Sequence, residues 1–181
     1  YLSFLVNTKE PLFSSPTDNR ATSDGTTVRI LIDTDNNPNT GYQYPCIGAN
    51  HMIELYGEGN GMVSTSLLYV FDNSKDQNDW NAFYGLTTLE ANATANAVIS
   101  TAMEVQVPNF DLGIDAESGL KFTLATFDSY GNSDSTVITD LSRNVESQDE
   151  CIEAERAISN GEYVGNRIVI DGNFNDWEQN A

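Results

Sequence analysis

The chain has 181 residues, enough for one sizeable core and too few for two ordinary domains, so a single domain is expected. Twenty-seven Asp and Glu against eight Lys and Arg give a formal net charge of −19, which repels nucleic acid and anionic lipid and favours a solvated surface or divalent cations. No window holds 18 consecutive apolar residues, which excludes a membrane-spanning helix. The first residue is Tyr1, as expected of a mature form whose targeting segment has been removed.

In chain order, β-rich runs at 1–6 and 28–32 are separated by a Ser/Pro/Asp/Asn stretch. Further strands are predicted near 51–56, 62–71, 82–88, 98–107, 120–128 and 166–171, with Asn60-Gly61 as a hairpin turn. Residues 91–97 (Ala-Asn-Ala-Thr-Ala-Asn-Ala) read as an exposed loop of small residues. About eight strands punctuated by turns predict an all-β jelly roll or β-sandwich. One short helix is predicted over 147–160, where Ser147 and Glu150 form a capping box, Cys151, Ile152, Ala154 and Ile158 give an apolar stripe, and Asn160-Gly161 ends it.

Cys46 and Cys151 are the only cysteines, an even count that fits one disulfide in an oxidising compartment; the alternative is two separate buried thiols. A bridge would pin the helix to the Tyr42–Cys46 loop. With the sequon Asn92-Ala93-Thr94, a glycosylation acceptor, this points to a secreted, extracellular protein.

The strongest local signal is Asp33-Thr34-Asp35-Asn36-Asn37-Pro38-Asn39, directly after an apolar strand. Oxygen-bearing side chains at Asp33, Asp35, Asn37 and Asn39 alternate, as a loop curling round one hard cation requires, and calcium takes six to eight such oxygens. The loop lacks the glycine and the final Glu of an EF-hand, so the site would be a loop on a β scaffold. A metal-free Asx-rich turn is the competing reading.

A second signal is Ile170-Asp171-Gly172-Asn173-Phe174-Asn175-Asp176-Trp177. It resembles the Ile-Asp-Gly-x-x-x-Asp-Trp signature of family 9 carbohydrate-binding modules and the related DOMON-like sandwiches. Residues 32–42 followed by 47–54 resemble the Asp-x-Asp loop and strand of the same family. The resemblance implies a calcium-containing sandwich, sometimes with a face that binds sugars or haem. It extends the candidate calcium ligands to Glu54, Asp171, Asn173, Asn175 and Asp176.

In such domains the Asp-Gly-x-x-x-Asp-Trp segment precedes the strand that resembles Tyr1–Val6, whereas here it follows. Residues 1–165 therefore read as a sandwich lacking its first strand, and 166–181 as a strand that completes its own sheet or that of a neighbouring copy. Val169, Ile170, Phe174 and Trp177 would supply the inserted side chains. Donation from copy to copy does not close and generates a homopolymer, and the chain is similar in this respect to subunits of secreted archaeal fibres and cannula-like tubules. The leading expectation is thus a calcium-stiffened structural subunit; the alternative is a carbohydrate-binding module, with glycans as partners.

Weaker constellations complete the reading. Trp80, Tyr84, Tyr42 and Tyr44 could form a sugar-stacking platform, although aromatics in a sandwich more often belong to its core. Asp128–Asp134 reads as a solvated turn, with a further calcium loop as the alternative, and the acids Asp72, Asp76 and Asp79 as a polar connection. His51 is the only histidine, so two-histidine zinc or haem sites are excluded. With no G-x-S-x-G elbow, phosphate loop or Cys-His pair, no enzyme is expected.

Overall fold

The computed structural model describes residues 1–13, 26–57, 62–93, 100–115, 119–127, 133–136 and 138–141. Twelve strands lie within them: β1 (Leu2–Leu12), β2 (Thr26–Asp33), β3 (Tyr42–Tyr44), β4 (Ile47–Ala49), β5 (His51–Gly57), β6 (Thr65–Phe71), β7 (Phe83–Thr88), β8 (Glu90–Ala93), β9 (Ser100–Val107), β10 (Lys121–Phe127), β11 (Ser133–Ser135) and β12 (Thr139–Asp140). The one helical turn among the described residues is a 3-10 turn at Trp80–Ala82, capped by Asp79, whose side chain accepts from the Asn81 N–H at 3.0 Å.

All pairings are antiparallel. The larger sheet runs β11-β10-β2-β5-β6-β7, with β12 also on β10; the smaller runs β1-β9-β8; β3 and β4 form a separate ribbon. Alternation along β2 explains how the sheets meet. Val28, Ile30 and Ile32 are fully buried toward the smaller sheet, and across the ladder Ile30 opposes Leu124 on β10 and Ile53 on β5. The smaller sheet answers with Phe4 and Val6 from β1 and with Met103, Val105 and Val107 from β9. Each such side chain contributes roughly 1.5–3 kcal/mol on burial. Phe4 and Phe122 meet edge to face at 5.1 Å and tie the two sheets together near β10.

The all-β sandwich expected from the sequence is the architecture observed. Its details differ in two places. Of the loop expected at 91–97, residues 91–93 belong instead to β8, whose Asn92 is half-buried and lies opposite Glu104 on β9, so the sequon begins inside a strand, and 94–97 lie outside the described residues. The β3-β4 ribbon was not among the strands read from the β-rich runs. It lies over the outer face of the larger sheet, where Ile47 and Ala49 join Leu31 and Met52 in a second apolar cluster. This cover explains why β2 is buried on both faces and reads as a near-continuous apolar run.

The predicted helix at 147–160, the Asn60-Gly61 turn, the 128–134 turn as a whole, Cys151 and the segment 166–181 lie outside the described residues. Cys46 is half-buried in the two-residue turn between β3 and β4. Among the described residues β1 pairs on one side only, with β9. None of the described helical segments is long and apolar enough to cross a membrane.

Candidate functional site

The β2-β3 loop has the geometry of stacked Asx turns. Asp33 Oδ1 accepts from the Asp35 N–H at 3.3 Å, Asp35 Oδ1 from the Asn37 N–H at 3.0 Å, and Asn37 Oδ1 from the Asn39 N–H at 3.1 Å. Thr40 Oγ1 closes the loop by donating to Asp35 Oδ2 at 2.8 Å. Asn50, at the start of β5, accepts the Thr34 N–H at 2.9 Å, and Gly48 donates to Asp33 Oδ2 at 3.4 Å. Asn36 takes a positive φ of 54°, which a short amide side chain tolerates.

Asp33, Asp35 and Asn37 thus each accept from the main-chain N–H two residues on, so the loop has the Asx-rich turn geometry that was the competing reading. Burial of Asp33, which is 1% exposed, holds its carboxyl above the usual carboxylate range; its hydrogen bond with the Asp35 side chain and the charge of Asp35 add to this, against the Gly48 and Asn36 N–H groups. As donors to calcium Asp33, Asp35, Asn37 and Asn39 fit in kind: two carboxylates and two side-chain amides, all hard oxygen ligands. Among the described residues no group of three or more His, Cys, Asp and Glu stands ready for a metal, so amide and main-chain oxygens would have to complete the shell. Glu54 is placed elsewhere: its Oε2 accepts from Arg29 Nε at 2.8 Å. Asp171, Asn173, Asn175 and Asp176, with Val169, Ile170, Phe174 and Trp177, lie outside the described residues.

A neighbouring loop is sewn to this one. Asn73 Oδ1 accepts from the Gly41 N–H at 2.7 Å, and the Gln77 carbonyl accepts from the Gln43 N–H at 2.7 Å. Asp72 and Asp76 make Asx turns of their own, and the hydrogen bonds from Ser74 and Asn78 hold both carboxyls below the usual range. These acids therefore build the polar connection expected of them, and the loop delivers Trp80 to the face of the larger sheet.

His51 lies at the mouth of β5, 9% exposed, with Nδ1 buried and unpartnered. Burial holds its pKa below 6.5, against the charge of Asp35. The folded state therefore binds fewer protons here than the unfolded chain. The resulting stability is complete above about pH 6.5 and is lost as pH falls from there toward the folded pKa, by at most about 1.4 kcal/mol per pH unit. We expect His51→Phe to flatten thermal stability between pH 6.5 and 5; an unchanged acid slope in the variant would remove His51 as its source.

On the outer face of the larger sheet, the register sets Arg29 of β2 opposite Glu54 of β5 and Ala125 of β10. The Arg29 guanidinium lies 4.8 Å from the centre of the Trp80 ring and 4.7 Å from that of Phe127, held between two aromatic rings and bonded through Nε to Glu54. Trp80 packs edge-on against Tyr42 at 5.2 Å and Phe83 at 5.3 Å. Burial and the adjacent Glu54 charge raise the Tyr69 phenol above its usual pKa.

Two hollows meet at Arg29 and Trp80. One, of about 400 Å³, is apolar and lined also by Leu31, Tyr42, Tyr44 and Phe127. The other, of about 350 Å³, is more polar and includes Glu54, Tyr69 and Asn81. Of the four aromatics singled out in the sequence, Trp80, Tyr42 and Tyr44 converge here, while Tyr84 stands exposed on edge strand β7 outside the lining. Sequence reasoning missed Arg29 and Phe127. The one available signal was a lone arginine inside the apolar run Val28-Arg29-Ile30-Leu31-Ile32.

The fold and these two regions define the chain as an antiparallel β-sandwich with an acidic loop at one end and an aromatic groove on its outer face. No family model, no curated protein and no solved structure matches the chain.

Proposed function

We propose that this chain is a non-catalytic binding module of an extracellular protein, taking a glycan in the groove around Arg29 and Trp80. The observation that carries the reading is the convergence of Trp80, Tyr42, Tyr44 and Phe127 on one hollow lined also by Arg29, with Glu54, bonded to Arg29, in the adjoining polar hollow. Ligand sites are typically concave and mostly apolar, with a few fixed polar groups that set orientation. Aromatic surface suits the apolar faces of pyranose rings, and the arginine, glutamate and Tyr69 hydroxyl supply hydrogen-bond partners for the edges. Titration with oligosaccharides should change tryptophan fluorescence saturably, and the change should vanish in Trp80→Phe. A response that survives in Trp80→Phe would place the ligand elsewhere.

A second reading, assembly into a filament or tubule by strand donation, is favoured by the free edge of β1. There Phe4 and Val6 point into the core while one row of backbone groups has no strand beside it among the described residues. Residues 166–177 would be the donor, and calcium in the 33–39 loop would stiffen the subunit. Calcium bound only to the folded chain adds about 2.7 kcal/mol at a hundredfold excess over Kd. We therefore expect a chelator to lower the melting temperature in the parent but not in Asp35→Ala. Light scattering that finds only monomer at high concentration with calcium would defeat assembly and leave the binding module.

A further inference from the structure

We propose that the ligand recognised at this groove carries a carboxylate on a ring, and that Arg29 binds the carboxylate through its two terminal nitrogens. The inference rests on the binding-module reading and names the chemical class of its ligand.

Arg29 is anchored on three sides. Nε donates to Glu54, and the guanidinium carbon lies 4.8 Å from the centre of the Trp80 ring and 4.7 Å from that of Phe127. Among the described residues, no hydrogen bond or ion pair reaches Nη1 or Nη2. The side chain is 24% exposed and borders both hollows, so its free end reaches open space. An arginine that served only to neutralise Glu54 would need one contact; this one also lies over two aromatic rings, which restricts where the remaining N–H groups can point. A planar fork of donors matches the two oxygens of a carboxylate, and pre-orientation by stacking lowers the ordering cost on binding.

The surroundings select the rest of the ligand. Leu31, Ala125, Tyr42 and Tyr44 border the apolar hollow beside Arg29, so the carboxylate must be borne by a body with a flat apolar face. A space of about 400 Å³ accommodates one ring with its substituents. Glu54 on the polar side disfavours a second acid there and suits hydroxyl groups. Both a terminal uronic acid of a polysaccharide and an aromatic carboxylic acid present this chemistry. The net charge of −19 opposes any anion at a distance, but at 0.15 M salt that field decays over about 8 Å, and the local contact with the fork governs.

The test is calorimetric titration of the full chain in 0.15 M salt with three probes: a glucuronic-acid-terminated trisaccharide, its glucose-terminated neutral counterpart, and benzoate. The uronic probe should bind at least about tenfold tighter than the neutral sugar, as expected for a charge-assisted pair of hydrogen bonds. Arg29→Lys, which keeps the charge but loses the fork, should erase most of that preference, and Arg29→Gln all of it. Phe127→Leu leaves the hydrogen-bonding atoms in place, so it should weaken the acidic probe while the variant stays folded by circular dichroism. Equal affinity for the acidic and neutral sugars would overturn the carboxylate inference and leave glycan binding standing. Benzoate binding without either sugar would uphold the carboxylate and end the glycan reading. No heat with any probe would overturn both.

Discussion

Gly48→Ala should cost about 3–5 kcal/mol of folding free energy and abolish any calcium response. A methyl group at this position would sit 1.9 Å from the Thr40 carbonyl oxygen, 2.6 Å from that of Asn37 and 3.0 Å from the Thr40 carbonyl carbon. All three are main-chain atoms, so no side chain can rotate away, and the β2-β3 loop must lift from β4. Overpacking of this kind costs roughly 1–3 kcal/mol by itself. Lifting the loop also breaks the Gly48 N–H donation to Asp33 Oδ2, and a hydrogen bond to a charged group contributes about 1.5–3 kcal/mol. Asp33 is 1% exposed, so water does not readily replace the lost donor. Denaturant unfolding of the variant measures the sum. A loss below about 1 kcal/mol would mean that the loop does not rest on β4, and the acidic oxygens of the loop would then lose their common scaffold.

The parts of this molecule legible in the sequence are those governed by short-range periodicity. Val28, Ile30 and Ile32 alternate and face one core, and Asp33, Asp35 and Asn37 alternate and each bond the main chain two residues on, because each rule needs only neighbouring residues. The ribbon of β3 and β4 escaped because its turn is Pro45-Cys46, with Cys46 at φ 68°, rather than the Asn-Gly or Asp-Gly pair that marks most tight hairpins. A proline followed by a residue with positive φ is the pattern of a type II turn, but cysteine is not the residue expected at the second position. Strand β8 escaped for a different reason: Ala91 and Asn92 have weak strand preference, and they are extended because Val105 and Glu104 of β9 lie opposite them.

The groove was the least legible feature. Its members at 29, 54, 80 and 127 come from four distant parts of the chain; the register of β2 against β5 and β10 sets Arg29, Glu54 and Phe127 near one another, and the 3-10 turn brings Trp80. Glu54 shows how this misleads. The family resemblance made it a further oxygen ligand for calcium, yet β5 carries it along the outer face to a position opposite Arg29. Glu54 lies four residues along the extended chain from Asn50, about 13 Å at 3.3 Å per residue, so nearness in sequence to Asn50 gave it no claim on the loop.

Phe4→Ala should destabilise the sandwich by about 3–5 kcal/mol, the range for truncating a buried phenylalanine. Phe4 is 7% exposed on β1, and its ring meets that of Phe122 on β10 edge to face, so one side chain holds the smaller sheet to the larger where β1 has no second strand beside it among the described residues. Asn7, exposed on the same strand, is the control, and Asn7→Ala should change stability by less than about 0.5 kcal/mol. The contact can be separated from simple burial by pairing Phe4→Leu with Phe122→Leu: the rings should show a coupling of about 0.5–1.5 kcal/mol beyond the sum of the single changes. Additive losses would mean that the rings pack as independent apolar bodies. Loosening here should also be local, because the core on the β5 and β6 side rests on Ile53, Leu55 and Leu68 rather than on Phe4. Hydrogen exchange of Phe4→Ala should accordingly quicken along the β1-β9 ladder before the β2-β5 ladder. Simultaneous loss of protection in both ladders would show that the two sheets unfold as one unit and that the edge strand has no independent opening through which a further strand could be added.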